Sequence, residues 1–248
     1  MDMISKAALE TYKARRAARA ETVAKEMRAL QACLNRAVFL EVIARNPVTG
    51  VAPPRALDSR PPRWYTAAEL ARIYEHAKVL AGDEAAKGLG VNSDIEDYGP
   101  IWRLLANTGL RRGEAQALKW TDVLADQVRV VSTEQERTKS RKWRAVPLSE
   151  GAQAALAELK AITGASVYVL PRRASRSLTR AFGKALKRAG LDGSLHDLRH
   201  TFCAHLVSRG VPLRTVQVLA GHASSATTER YAHLAPGHLQ DAVSGLAL

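Results

Sequence analysis

Apolar residues recur at helical spacing along most of this chain and alternate at strand spacing in one short part of it. Residues 5–45 are rich in Ala, Arg, Glu and Leu and contain neither Gly nor Pro, which predicts one or two helices. Leu30, Leu34, Val38 and Val42 fall four apart and define one apolar face. The stretch "NPVTGVAPPRALDSRPPR", Asn46 to Arg63, then holds five of the ten prolines and predicts an extended linker. We therefore expect a helical segment over 1–45, a linker over 46–62 and a second domain over 63–248, ending in a tail over 232–248.

The second domain opens with a helix signal. In "TAAEL" the Thr66 hydroxyl and the Glu69 carboxylate form a capping box for a helix to about Leu80 that buries Leu70, Ile73, Tyr74 and Ala77. A loop-like stretch, "AGDEAAKGLGVNSDIEDYGP", precedes the helix "IWRLLANTG", which stops at Gly109, and a further helix carries "GEAQALKW". From Asp126 to Leu148 the period changes: "QVRVVS" and "KWRAVPL" predict two antiparallel strands around the polar turn "TEQERTKSR". Ser149 caps the next helix, "SVYVL" offers a third strand, and helices follow. The fold class is mainly α with a small antiparallel β-sheet, an α+β arrangement.

Composition adds a partner. The 248 residues carry a net charge of +13 and are 46% hydrophobic, enough for a sizeable core. Between Pro171 and Tyr231 stand eleven Lys and Arg against three Asp and Glu, so the positive charge is concentrated and favours a polyanion such as nucleic acid. With no apolar run of membrane length, no secretory core and only Cys33 and Cys203, the expectation is a cytoplasmic protein whose cysteines are buried apolar residues.

The candidate chemistry lies in four motifs: "TGLRRGE" at 108–114, "RTKSRKWRAVPL" at 137–148, "HDLRH" at 196–200 and "GHASSATTERY" at 221–231. They supply Arg111, Lys139, His196, Arg199, His222 and Tyr231. Phosphodiester cleavage without metal or water needs an in-line nucleophile, fixed donors for the charge on the non-bridging oxygens, and a proton for the leaving 5′-oxygen. Two guanidiniums suit the second task and a lysine the third. Spacing of three in "HDLRH" puts His196 and Arg199 on one side of a helix. Lys142, Arg137 and Arg141 share the turn with Lys139 as alternative proton donors.

These motifs resemble the tyrosine recombinases, the phage-integrase family, whose signature is an arginine in "TGLR", a lysine in a β-hairpin, "HxxR", "GH" and a tyrosine nine residues later. The resemblance covers about residues 63–240 and implies the catalytic-domain fold of the DNA breaking-rejoining enzymes. It implies Tyr231 as nucleophile forming a 3′-phosphotyrosine, Arg111 and Arg199 as the clamp on the non-bridging oxygens, and Lys139 as general acid. His196 and His222 become phosphate donors and candidate acceptors of the tyrosine's proton, Glu114 the acidic residue that orients the first arginine, and no cofactor or metal is required. "LNRAVFLEVIARNPV" resembles the end of the family's helical core-binding domain, so residues 1–45 are expected to be a partial one. "LAGH" departs from the commoner "LLGH" at Ala220, a change of packing rather than chemistry. The implied partner is double-stranded DNA, bound as a homo-tetramer on two sites and as a monomer without DNA, with accessory DNA-bending proteins and association with the nucleoid. In the family the tail after the tyrosine docks on a neighbouring protomer, and Leu239, Val243 and Leu246 offer an apolar stripe for it.

Further basic residues, Arg141, Lys142, Arg172, Arg173, Arg176 and Arg180, together with His200, are assigned to DNA contact, while His205, His233 and His238 serve structure or DNA. A zinc site from His196, His200 and Cys203 lacks a carboxylate and faces the repelling charge of Arg199. The segment "RTVQVLAGHASSATTERY" also reads as a helix-turn-helix. A non-catalytic DNA-binding regulator on the same fold and a type IB topoisomerase are the competing functions.

Overall fold

The computed structural model describes residues 4–18, 20–54, 62–78, 97–131, 143–171 and 174–236. Two compact units divide at Arg60/Pro61. In the first, α1 (Lys6–Arg15) is capped by Ser5, whose Oγ accepts from the Ala8 N–H at 3.1 Å, and is followed by α2 (Ala20–Phe39). Leu9, Val23, Met27 and Leu34 form their shared core, and Tyr12 donates to Glu26 across the pair. Leu34 belongs to the buried face as expected, whereas Val42 lies beyond the helix and is exposed. The linker expected from residue 46 begins later. Asn46 Oδ1 turns the chain by accepting from Val48 N–H, so Val48 and Val51 fold back into the core and Gln31 donates to the Val51 carbonyl at 2.7 Å. Cys33 is exposed rather than buried, because it stands on the solvent face of α2.

The second unit is built around α4 (Gly99–Thr108), whose Ile101, Trp102, Leu104 and Leu105 are buried. Before it, α3 (Ala67–Glu75) starts with the expected reciprocal cap between Thr66 and Glu69. Helix α4 ends at Gly109 with φ +62°, and α5 (Arg112–Ala117) follows at once. A Cβ at Gly109 would fall 2.4 Å from Phe202, so both the backbone angle and the close approach require glycine. Strands β1 (Gln127–Val131) and β2 (Trp143–Pro147) pair antiparallel, with Val130 opposite Arg144 and Val128 opposite Val146. Val128, Val130 and Val146 fill the inner face, which the alternation also assigns to Arg144.

Helix α6 (Glu150–Thr163), capped by Ser149, and α8 (Asp197–Ser208) both pack on α4. Between them in sequence runs α7 (Ala174–Arg188), whose Phe182 meets Trp102 edge-on at 5.1 Å; burying such a side chain contributes about 2 kcal/mol. The strand expected in "SVYVL" reduces to a single bridge, Lys119 with Tyr168, because its partner enters a 3-10 turn at Trp120–Asp122 and cannot extend a ladder. The chain then forms α9 (Leu213–Ala220), a left-handed Gly221, the five-residue α10 (Ser225–Glu229) and a 3-10 turn at Ala232–Leu234. Among the described residues no helix is long and apolar enough to cross a membrane.

Candidate active site

Three buried or half-buried arginines surround one carboxylate. Glu114, on α5, is 2% exposed at its side chain. It accepts from Arg111 Nη1 at 2.9 Å and from the Arg111 backbone N–H at 2.8 Å, a short-range arrangement that follows from their spacing of three across the helix start. Arg144, from β2, donates to both carboxylate oxygens, Nη1 to Oε1 at 2.9 Å and Nη2 to Oε2 at 2.8 Å. Arg199 Nη1 stands 4.0 Å from Oε2. Burial alone would raise the Glu114 pKa. The Arg144 hydrogen bonds and charge, with those of Arg111, outweigh it and hold the carboxyl at about 2.

Arg199 is 2% exposed, and its Nη1 donates to the Gly109 carbonyl at 2.7 Å. Its Nη2 is buried and has no hydrogen-bond partner among the described residues. A buried N–H left unbonded is costly, and a guanidinium N–H here is matched to an oxyanion. Burial and the Arg111 charge bring the Arg199 pKa down to about 10, still fully protonated at neutral pH.

Their surroundings favour the neutral form of His196, His200 and His222. His196 is the residue before α8, and burial followed by the Arg199 charge lowers its pKa. His222 follows Gly221, where Arg111 Nη2 donates to the Gly221 carbonyl at 2.9 Å, and its Nδ1 lies 2.8 Å from Thr228 Oγ1. Burial, then the Arg199 and Arg111 charges, lower its pKa to about 4. His200 stands one helical turn after His196, with the two rings edge-on at 4.8 Å.

Tyr231 is 1% exposed and packs with Cys203, Ala204, Val207, Val216 and Ala220, while its hydroxyl is hydrogen-bonded to His200 Nδ1. Burial first, and Cys203 second, raise its pKa, opposed by the Arg230 and Arg199 charges. The hydroxyl is thus protonated and held in the core. His200, grouped by the sequence with DNA contacts, instead faces this hydroxyl, because position 200 falls on the buried side of α8. Burial and the His196 ring lower its pKa to about 3.

The structure therefore brings together Arg111, Glu114, Arg199, His196, His222 and Tyr231 within one electrostatic neighbourhood. Lys139, Arg141, Lys142, Arg172 and Arg173 lie outside the described residues; Arg176 belongs to α7, and Arg180 is exposed on it. Among the described residues no group of three or more His, Cys, Asp or Glu side chains is placed to hold a metal ion. Sequence reading missed Arg144. Its signal was the charged residue on the inner face of an otherwise apolar strand, opposite Val130.

This helical unit with its two-stranded sheet has the fold of solved integrases and recombinases. Similar structures include the catalytic domain of bacteriophage HP1 integrase (TM-score 0.53, 27% identity, 73% of this chain and 94% of that one). A lambda integrase(75-356) dimer bound to a COC′ core site superposes at a TM-score of 0.65, with 21% identity, over 90% of this chain and 81% of that one. XerH recombinase bound to palindromic difH superposes at 0.69, with 19% identity, over 99% and 73%.

Residues 63–238 match the phage integrase family, and the chain belongs to it. Among curated relatives, tyrosine recombinase XerD of Rickettsia conorii is 31% identical over 81% of this chain and 69% of its own length. XerC of Xanthomonas axonopodis pv. citri is 35% identical over 65% and 56%. The integrase of Escherichia phage 186 is 32% identical over 66% and 46%, so the chain spans about half of the length of these last two.

Proposed function

We propose that the chain is a site-specific DNA recombinase that cleaves and rejoins double-stranded DNA through Tyr231. The observation that carries this reading is the Arg199 guanidinium, buried near Arg111, His196 and His222, with one nitrogen that has no hydrogen-bond partner among the described residues. Arg111 and Arg199 clamp the non-bridging oxygens of the scissile phosphate, where permanent charge and forked donors stabilise the transition state most. His196 and His222 add neutral N–H donors, and phosphate binding raises the affinity of both rings for a proton.

The Tyr231 oxygen forms a bond to phosphorus and gives up its proton to His196 or His222 while the bond to the 5′-oxygen breaks, and Lys139 supplies that oxygen with its proton. The 3′-phosphotyrosine conserves the phosphodiester energy, and a 5′-hydroxyl from the second site attacks it to release Tyr231. The reaction therefore consumes no nucleotide and uses no metal or cofactor. Because the hydroxyl is buried against His200 before DNA binds, attack also requires the segment from α10 to the following turn to present it.

The active assembly is a homo-tetramer on two DNA sites, assisted by DNA-bending proteins and located at the nucleoid. Residues 1–45 serve as a partial core-binding unit. Arg141, Lys142, Arg172, Arg173, Arg176 and Arg180 contribute phosphate contacts.

The test uses duplexes selected from a randomised library by binding to the Tyr231→Phe protein, then nicked to trap cleavage. Wild-type protein forms a covalent adduct with them, and Tyr231→Phe does not. Tight binding by wild-type protein without an adduct refutes the proposal and leaves a non-catalytic regulator. Supercoil relaxation without any recombinant product leaves a topoisomerase.

A further inference from the structure

Arg144 is the charged side chain on the inner face of the β-hairpin, and it is 13% exposed. All three of its guanidinium nitrogens are engaged. Two fork onto Glu114, and Nε donates to the Leu219 carbonyl at 2.9 Å. That carbonyl belongs to the last turn of α9, three residues before His222. Gly221 closes the arrangement, with φ +68° and an approach so close that a Cβ would fall 2.7 Å from Arg144 Nη1. One side chain thus joins three separate segments: β2, the start of α5 and the turn that delivers His222.

We propose that Arg144 is a positioning residue for strand cleavage: its fork onto Glu114 and its bond to Leu219 hold Arg111 and the Gly221–His222 turn in their places around the scissile phosphate. This rests on the reading of Arg111 and Arg199 as the phosphate clamp.

The physical reason lies in the needs of Glu114. A buried carboxylate requires several donors, and Arg144 supplies one to each oxygen. Without Arg144, that demand falls on Arg111 and Arg199, the two groups the phosphate needs. Charge reinforces geometry: three guanidiniums and one carboxylate leave a surplus of +2 in a water-poor site, and removing Arg144 halves it. Arg111 also bonds the Gly221 carbonyl, so displacement of Glu114 is passed to both ends of the clamp.

The experiment measures adduct formation on the selected duplex carrying either a phosphate or an uncharged methylphosphonate at the scissile position. A methylphosphonate presents less negative charge to a clamp, so variants with a damaged clamp lose less on it. Arg111→Ala sets the reference. Arg144→Met is expected to lose about 100-fold on phosphate, in line with removal of a transition-state donor, and about 10-fold or less on methylphosphonate. Partial unfolding lowers both rates by one factor and leaves their ratio unchanged, so the ratio reads clamp function.

Arg144→Lys keeps the charge and cannot fork; it is expected to shift the ratio in the same direction as Arg144→Met, by a smaller factor. A wild-type ratio in Arg144→Lys, or equal losses on both substrates in Arg144→Met, overturns the positioning role. If Arg111→Ala itself loses equally on both substrates, the clamp reading fails instead, which separates the two outcomes.

Discussion

The Tyr231 hydroxyl and His200 Nδ1 are hydrogen-bonded to one another inside the core of the second unit. The pair couples the proposed nucleophile to the helix that carries Arg199 and begins just after His196. It also makes exposure of the tyrosine a step with a cost. That cost is the loss of one buried hydrogen bond plus the apolar contacts of the ring with Cys203, Val207 and Val216.

Replacing His200 by Ala removes the hydrogen bond while leaving both arginines in place. A single such bond contributes about 1 kcal/mol, so adduct formation is expected to accelerate roughly fivefold where presentation of Tyr231 limits the rate. Quenched time courses on the nicked duplex check this. A fall of 100-fold or more would instead place His200 in the chemical step.

Acid should loosen the site. His200 and His222 have folded pKa values of about 3 and about 4, below the ordinary histidine value of 6.5. Between those limits the unfolded chain binds more protons than the folded one. The stability they contribute is complete above pH 6.5 and is lost as pH falls toward 4 and 3. Each contributes at most about 1.4 kcal/mol per pH unit, reduced by its remaining solvent contact. Thermal melting from pH 8 to 4 should show a falling Tm, flattened in His200→Asn. The Glu114 contribution is lost lower still, between pH 4.5 and about 2.

Glu114→Ala leaves three guanidiniums without their shared carboxylate. Breaking a buried ion pair from one side costs about 3–5 kcal/mol. Urea denaturation should report a loss of that order, and the covalent adduct should disappear.

Gly109→Ala puts a Cβ against Phe202 in a left-handed backbone conformation. The strain of the angle and the clash together should cost about 2–3 kcal/mol. Because the Gly109 carbonyl is the Arg199 partner, cleavage should fall further than the loss of folded protein accounts for. Melting and adduct assays on the same preparation separate the two effects.

DNA affinity should follow counterion release. Neutralising Arg180 by Gln is expected to lower the slope of log affinity against log salt by about 1. An unchanged slope would remove Arg180 from the phosphate-contacting set.

Local signals in the chain were readable where a residue's partner lies within one helical turn. Thr66 with Glu69, Ser149 with Ala152 and Gly109 after α4 depend on backbone geometry that a few neighbouring residues dictate. The pair Arg111 with Glu114 belongs to this class, being three apart across a helix start. "SVYVL" misled because strand propensity needs a partner, and the available one turned into a 3-10 helix. Val48 and Val51 were assigned to a linker by proline content, yet an Asx turn returned them to the core.

By itself the sequence determined the helical character of the chain, the caps and stops of its helices, and the ordered set Arg111, His196, Arg199, His222 and Tyr231. Those follow from side-chain identity and short-range spacing. Only the tertiary structure decided that Arg144, 30 residues from Glu114, completes its hydrogen bonds, and that His200 holds Tyr231 out of solvent. Burial and long-range hydrogen bonds arise from how β2, α5, α8 and α9 pack against one another, and no local pattern in the chain encodes which side chains that packing brings together.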